Sequence, residues 1–173
     1  MCCCSRQRGR RRIRYGDRAG PRDHGRLALA AKFGADLAVD VGADDPVAAL
    51  QKATSALADV VVDVTARAPA AFAQAIALAR PAGTVVVAGT RGLGAGAPGF
   101  SPDMVVFKEL RILGALGVDV TAYRAALELL ASGRYPFESL PRRCVGLDDA
   151  EDLLAAMAGE RDGAAPVHGV ITP

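Results

Sequence analysis

The sequence predicts an α/β fold built on an open parallel sheet with helices packed against it. Two observations carry this expectation. The runs "ADVVVDVT" (58–65) and "TVVVAGT" (84–90) are continuously β-branched, as strands buried on both faces of a parallel sheet require. Helical patterns of about 10–15 residues alternate with them, and that alternation is the mark of parallel crossovers. The 173 residues fit one domain and can bury a sizeable core.

Each element follows from local chemistry. "RLALAAKFGAD" is rich in alanine and leucine and stops at Gly34, a helix end. "LAVDV" (37–41) is a short strand. "DDPVAALQKATSAL" is a helix with Asp45 as N-cap and Pro46 in its first turn. After the strand 58–65, "PAAFAQAIALARPAG" returns to helix and is expected to end at Pro81 and Gly83. The strand 84–90 runs into the glycine-rich stretch "RGLGAGAPG", and "RILGAL" (111–116) is a further strand. "VTAYRAALELLASGRY" is a helix stopped at Gly133, and "LDDAEDLLAAMAG" another with Asp148 placed to cap it. "VHGVITP" closes the chain as a short strand. No internal repeat of 20–50 residues suggests a solenoid.

The net charge of +2 hides a split along the chain. Residues 1–26 carry nine arginines against Asp17 and Asp23, whereas the remainder carries 12 basic and 17 acidic side chains. No apolar run approaches the roughly 20 residues of a membrane span, and the opening lacks the apolar core of a secretory signal. Apart from Cys2, Cys3 and Cys4 the chain has only Cys144, so a reducing, cytoplasmic setting is expected rather than a disulfide framework.

Ligands of open parallel sheets bind outside the carboxyl ends of the strands. That directs attention to Val64–Arg67 and Ala88–Arg91, two small or polar turns offering close backbone approach and two guanidinium groups. Tight strand-to-helix turns would select the same small residues. Gly92, Gly94 and Gly96 have a spacing like that of a dinucleotide fingerprint. They follow a late strand and run into Pro98 instead of opening a helix, so they read as a flexible loop. No metal-ligand cluster stands in the body: His24 and His168 are far apart in sequence and Cys144 is alone. Asp148, Asp149, Glu151 and Asp152 read as helix-start electrostatics. Cys144, beside two arginines, reads as a half-buried strand cysteine.

Taken in series, "RLALAAKFGADLAVDVG", "ADVVVDVTARAPAAFAQAIALARPAGTVVVAGT", "FKELRILGAL" and "YRAALELLASGRYPFESLPRRCVGLDDAEDLLAAM" resemble the carboxy-terminal half of medium-chain dehydrogenases. The nearest group is the zinc-type alcohol dehydrogenases, and the resemblance runs from about Asp23 to Pro173. It implies hydride transfer between a small-molecule alcohol or carbonyl substrate and NAD or NADP, with zinc held in an amino-terminal catalytic domain. It places Val64, Thr65, Ala66 and Arg67 along the adenine–ribose side of the cofactor, and Ala88, Gly89 and Thr90 toward the nicotinamide. Lys108 is given either a phosphate or ribose contact or a structural role. Ala66 stands where the family commonly has glycine, and His168 where lysine is frequent. The strand 111–116 matches the edge through which many relatives form dimers.

By the same resemblance the Rossmann-type sheet is incomplete. Its first strands and the glycine fingerprint are missing, and so is the zinc domain. The implied division is an atypical segment 1–22, a partial NAD(P)-binding domain 23–135, and a segment 136–173 that in relatives packs on the catalytic domain. Such a chain is expected to lack activity by itself, and to fold poorly or recruit its opening segment as a substitute for the lost strands. Residues 1–22 occupy the place of a helix end and a strand. Read one base later, with GC-rich codons, "YGDRAGPR" can become "TVTGLAR", so a shifted frame before Asp23 is the expectation for the opening. Gene sequencing decides it. Three alternatives stand beside this. A basic arm could bind nucleic acid, although one aromatic, Tyr15, is little for base stacking. Cys2–Cys4 could hold metal, although adjacent cysteines lack tetrahedral spacing. The chain could also be an interaction module pairing with intact relatives.

Overall fold

The computed structural model describes the backbone of residues 2–5, 12–16 and 21–24, and backbone with side chains for residues 25–66, 68–161 and 166–173. The chain forms two compact units, residues 1–119 and residues 120–173. The first contains β1 (Cys2–Ser5), β2 (Arg12–Gly16), α1 (Pro21–Lys32), β3 (Leu37–Asp40), α2 (Pro46–Thr54) and β4 (Ala58–Asp63). It continues through α3 (Ala70–Leu78), β5 (Ala79–Val87), α4 (Asp103–Phe107) and β6 (Arg111–Gly114).

Six strands form one sheet in the order β3-β2-β1-β4-β5-β6. Pairing is parallel for β2–β3, β4–β5 and β5–β6, and antiparallel where β1 meets β2 and β4. The expected α/β architecture is present, but the sheet is mixed. The opening segment fills the two places between β3 and β4. Cys2–Ser5 pairs with Val60–Asp63 on one side and Arg12–Tyr15 on the other. Without that insertion both β3 and β4 would present unpaired N–H and C=O groups, which buried backbone rarely tolerates. Metal binding at Cys2–Cys4 would rest on side chains outside the described residues, and the reading frame of 1–22 is a question for the gene.

The core lies where β4 and β5 meet α2 and α3. Val61 and Val85, register partners at the centres of the two β-branched runs, are fully buried. Leu50, Ala75, Ile76 and Leu78 pack with them from the helices. Each fully buried valine or leucine contributes about 1.5–3 kcal/mol by leaving water. Asp45 caps α2 as expected, its carboxylate accepting the Ala48 N–H at 2.7 Å, with Pro46 following.

The end of α3 departs from expectation. The helix stops at Leu78 rather than at Pro81, and the strand begins at Ala79. Residues between Ala79 and Thr84 bulge, because Ala58 pairs with Ala79 while Val60 pairs with Thr84. A contact remote in sequence holds this end. Lys108 Nζ donates to the carbonyls of Ile76, Ala77 and Ala79 at 2.8–2.9 Å, satisfying the groups a helix end leaves open. Arg80 is held outward by Asp59 at 2.7 Å.

The second unit contains α5 (Val120–Ala131), β7 (Arg142–Val145), α6 (Ala150–Ala158) and β8 (His168–Ile171), with β7 and β8 pairing in parallel. Leu153 of α6 is buried over Gly169, where a Cβ would come within 2.6 Å of the Met157 sulfur. Asp148 does not cap α6. It lies in a 3-10 turn over Leu147–Asp149, and the cap position falls to Asp149 without a side-chain bond. Glu151 and Asp152 still put negative charge at the helix start. Cys144 lies on β7 but is exposed, not half-buried. Among the described residues, no helix is long and apolar enough to cross a membrane.

Candidate functional site

The apolar run of β4 ends at Asp63, which has no exposed surface. Carboxylate oxygen Oδ1 accepts the Thr65 N–H at 3.0 Å and the Thr65 hydroxyl at 2.6 Å, which folds the chain into a turn directly after the strand. Oδ2 accepts from Arg91 Nη2. The Asp63 carbonyl accepts the N–H groups of Ala88 at 2.8 Å and Gly89 at 3.2 Å. One residue therefore ties the turn after β4 to the turn after β5. Burial raises the pKa of this carboxyl, but the bonds from Thr65 and the Arg91 guanidinium outweigh it and hold the group below the ordinary aspartate value.

Gly89 makes the close approach possible. A Cβ there would overlap the Thr65 carbonyl oxygen and stand 2.8 Å from the Thr65 amide nitrogen. Glycine is required because backbone packs on backbone.

Arg91, past the carboxyl end of β5, completes the junction. Besides Asp63, its guanidinium donates to the Ala68 carbonyl at 3.3 Å, the Gly89 carbonyl at 3.4 Å and the Thr65 hydroxyl at 3.3 Å. Its carbon lies 5.8 Å from the centroid of the Phe72 ring. Arg91, expected as a guanidinium for a ligand, is instead turned inward, its side chain only 12% exposed. An aspartate closing an apolar run with threonine two residues on signals the local turn, but nothing adjacent signals that Arg91 reaches it.

The expected site residues fall into two groups. Val64, at 53% exposure, and Ala66, Ala88 and Thr90 are open to solvent around the junction that Thr65 and Gly89 form. Arg67 lies outside the described residues. Lys108 stands apart: its three donors are engaged on α3 and Ala79, at the opposite end of β5 from Ala88. The loop after Thr90 opens no helix directly, and Gly92, Gly94 and Gly99 take positive φ. Phe100 ends the loop edge-on to Phe72, with centroids 4.9 Å apart.

Both turns lie at the carboxyl ends of parallel strands, where small residues let a ligand reach the backbone. The usual seat of a dinucleotide's pyrophosphate is not formed, because that seat follows a central strand parallel to β4 and opens a helix. Here the strand beside β4 is β1, which runs the other way. Among the described residues, no group of three or more His, Cys, Asp or Glu could hold a metal ion.

The chain is 82% identical over 154 residues to the Mycobacterium tuberculosis protein named "Probable alcohol dehydrogenase adh", a match covering 89% of the chain and 42% of that relative. The chain thus spans about two fifths of the length of the curated relatives it matches. A solved zinc-binding dehydrogenase from Sinorhizobium meliloti 1021, bound to NADP, is 28% identical with a TM-score of 0.73, covering 93% of the chain and 44% of that protein. A solved alcohol dehydrogenase (rspB) from E. coli CFT073, complexed with NADH, shares the fold at 19% identity, with a TM-score of 0.71 and coverage of 93% and 44%. Residues 21–132 match the sequence profile of the zinc-binding dehydrogenases, and with well over half its length in that match the chain belongs to this family.

Proposed function

We propose that the chain forms the nicotinamide-cofactor side of an NAD(P)-dependent oxidoreductase acting on small alcohols or carbonyls. The observation that carries this is the junction at Asp63, which sets the turns 64–66 and 88–90 side by side at the carboxyl ends of β4 and β5. Val64, Thr65, Ala66 and Arg67 take the adenine–ribose side, and Ala88, Gly89 and Thr90 face the nicotinamide. Lys108, engaged elsewhere, takes the structural role considered for it. When bound, the cofactor supplies or accepts the hydride; the chain's residues hold and orient it. The nicotinamide complexes of the structural relatives support this reading.

Zinc does not fit the described residues, so no step through it is assigned to this chain. By itself the chain binds cofactor without turning over alcohol. Titration of the purified chain with NADH and NADPH, followed by fluorescence, tests the reading. A saturable change without alcohol oxidation is expected. No saturable signal up to roughly millimolar cofactor would sink it.

A second reading rests on β6, the last strand of the sheet, with Ile112 at 38% and Leu113 at 53% exposure. Through this edge the chain pairs with a second copy or an intact relative. Light scattering of the eluted chain, alone and mixed with a full-length relative, measures it; monomers in both cases would dismiss it.

A further inference from the structure

We infer that Arg91 and Asp63 form an ion-paired latch, with Arg91 as a positioning residue that fixes the two turns on which the cofactor reading depends. The inference deepens the proposed function and rests on it for its ligand, but the latch itself stands on geometry.

Arg91 makes bonds to both sides of the junction. On the β4 side it reaches the Asp63 carboxylate, the Thr65 hydroxyl and the Ala68 carbonyl. On its own side it returns to the Gly89 carbonyl. A planar guanidinium can serve several acceptors at fixed angles, which a lysine ammonium on a flexible stem cannot reproduce. Phe72 of α3 covers one side of the group, and Phe100 packs on Phe72. The glycine-rich loop is thereby anchored at both ends, by Arg91 before it and Phe100 after it. Between those anchors Gly92, Gly94 and Gly99 take positive φ, which glycine adopts without strain.

The charge pairing separates this role from that of a cofactor contact. A guanidinium that neutralises a fully buried carboxylate and is itself largely buried has little charge to offer a phosphate. Its effect on the cofactor passes through the positions of Thr65 and Gly89. These are held so closely that the Gly89 side of the contact has no room for a methyl group.

Two measurements on the full 173-residue chain test the latch, using Arg91→Met and Arg91→Lys beside the unaltered protein. The first is amide hydrogen exchange at Thr65, Ala88 and Gly89, which needs no ligand. Exchange is expected to rise about tenfold or more in Arg91→Met, with amides at the centre of β5 unchanged. The second is NADH affinity at low and high ionic strength. Arg91→Met is expected to weaken binding about tenfold without altering its salt dependence, with Arg91→Lys recovering only part. Unchanged exchange at the three amides overturns the latch. So does an affinity loss with flattened salt dependence, the mark of a direct phosphate contact. If Arg91→Met does not fold, exchange in Arg91→Lys and Asp63→Asn decides by the same criterion. If the unaltered chain binds no NADH, the cofactor reading fails, and the exchange result still decides the latch.

Discussion

Asp63 carries a carboxylate to a place with no exposed surface, and the bonds of Thr65 and Arg91 are what let it remain ionised there. Its folded-state pKa lies below the ordinary value of about 3.9, so the ionised form stabilises the fold above that pH. The contribution fades as pH falls through the folded pKa. Denaturant midpoints measured by circular dichroism should therefore drop for the wild-type chain below about pH 4. Asp63→Asn should flatten that drop and cost about 1–3 kcal/mol near neutrality, since Arg91 loses its ionic partner. An unchanged acid profile in the variant would place the titration elsewhere. At Gly89 the constraint is steric. Gly89→Ala is expected to displace the Thr65 turn and abolish NADH binding while far-ultraviolet circular dichroism keeps its shape; retained affinity would mean that the turns are not held by this contact.

Among the elements, those set by local chemistry were legible and those set by distant partners were not. The valines of β4, the Asp45–Pro46 start of α2 and the Gly34 and Gly133 stops are written in adjacent residues, and the structure follows them. The end of α3 is announced to within three residues by Pro81, but its place at Leu78 is held by Lys108, some thirty residues downstream at its carbonyls. The candidate site divides in the same way. The small residues of the turns 64–67 and 88–90 stand out, whereas the inward turn of Arg91 depends on Asp63, 28 positions before it. Burial draws the Lys108 pKa below the usual lysine value, while its three carbonyl partners favour the ammonium. Lys108→Met strips those carbonyls of a charged donor. It is expected to cost about 1–3 kcal/mol and lower the melting temperature by several degrees, read by calorimetry. A shift within error would show that water serves the carbonyls equally well.

For the molecule as a whole, the sheet's continuity depends on the least family-like part of its sequence. β1 and β2 join β3 to β4, so deleting residues 1–16 should leave two unpaired strand edges. Such edges pair with other chains. Size-exclusion chromatography of the deleted protein should show soluble aggregates or loss of material; a monomer with an unchanged melting curve would show that the sheet closes without its insert. The reversed direction of β1 also sets how its place in the sheet can change hands. Strands can slip past their neighbours in register, but no slip inverts a chain's direction. For β1 to give way to a strand that runs with β4, its ladders to β2 and β4 have to break first.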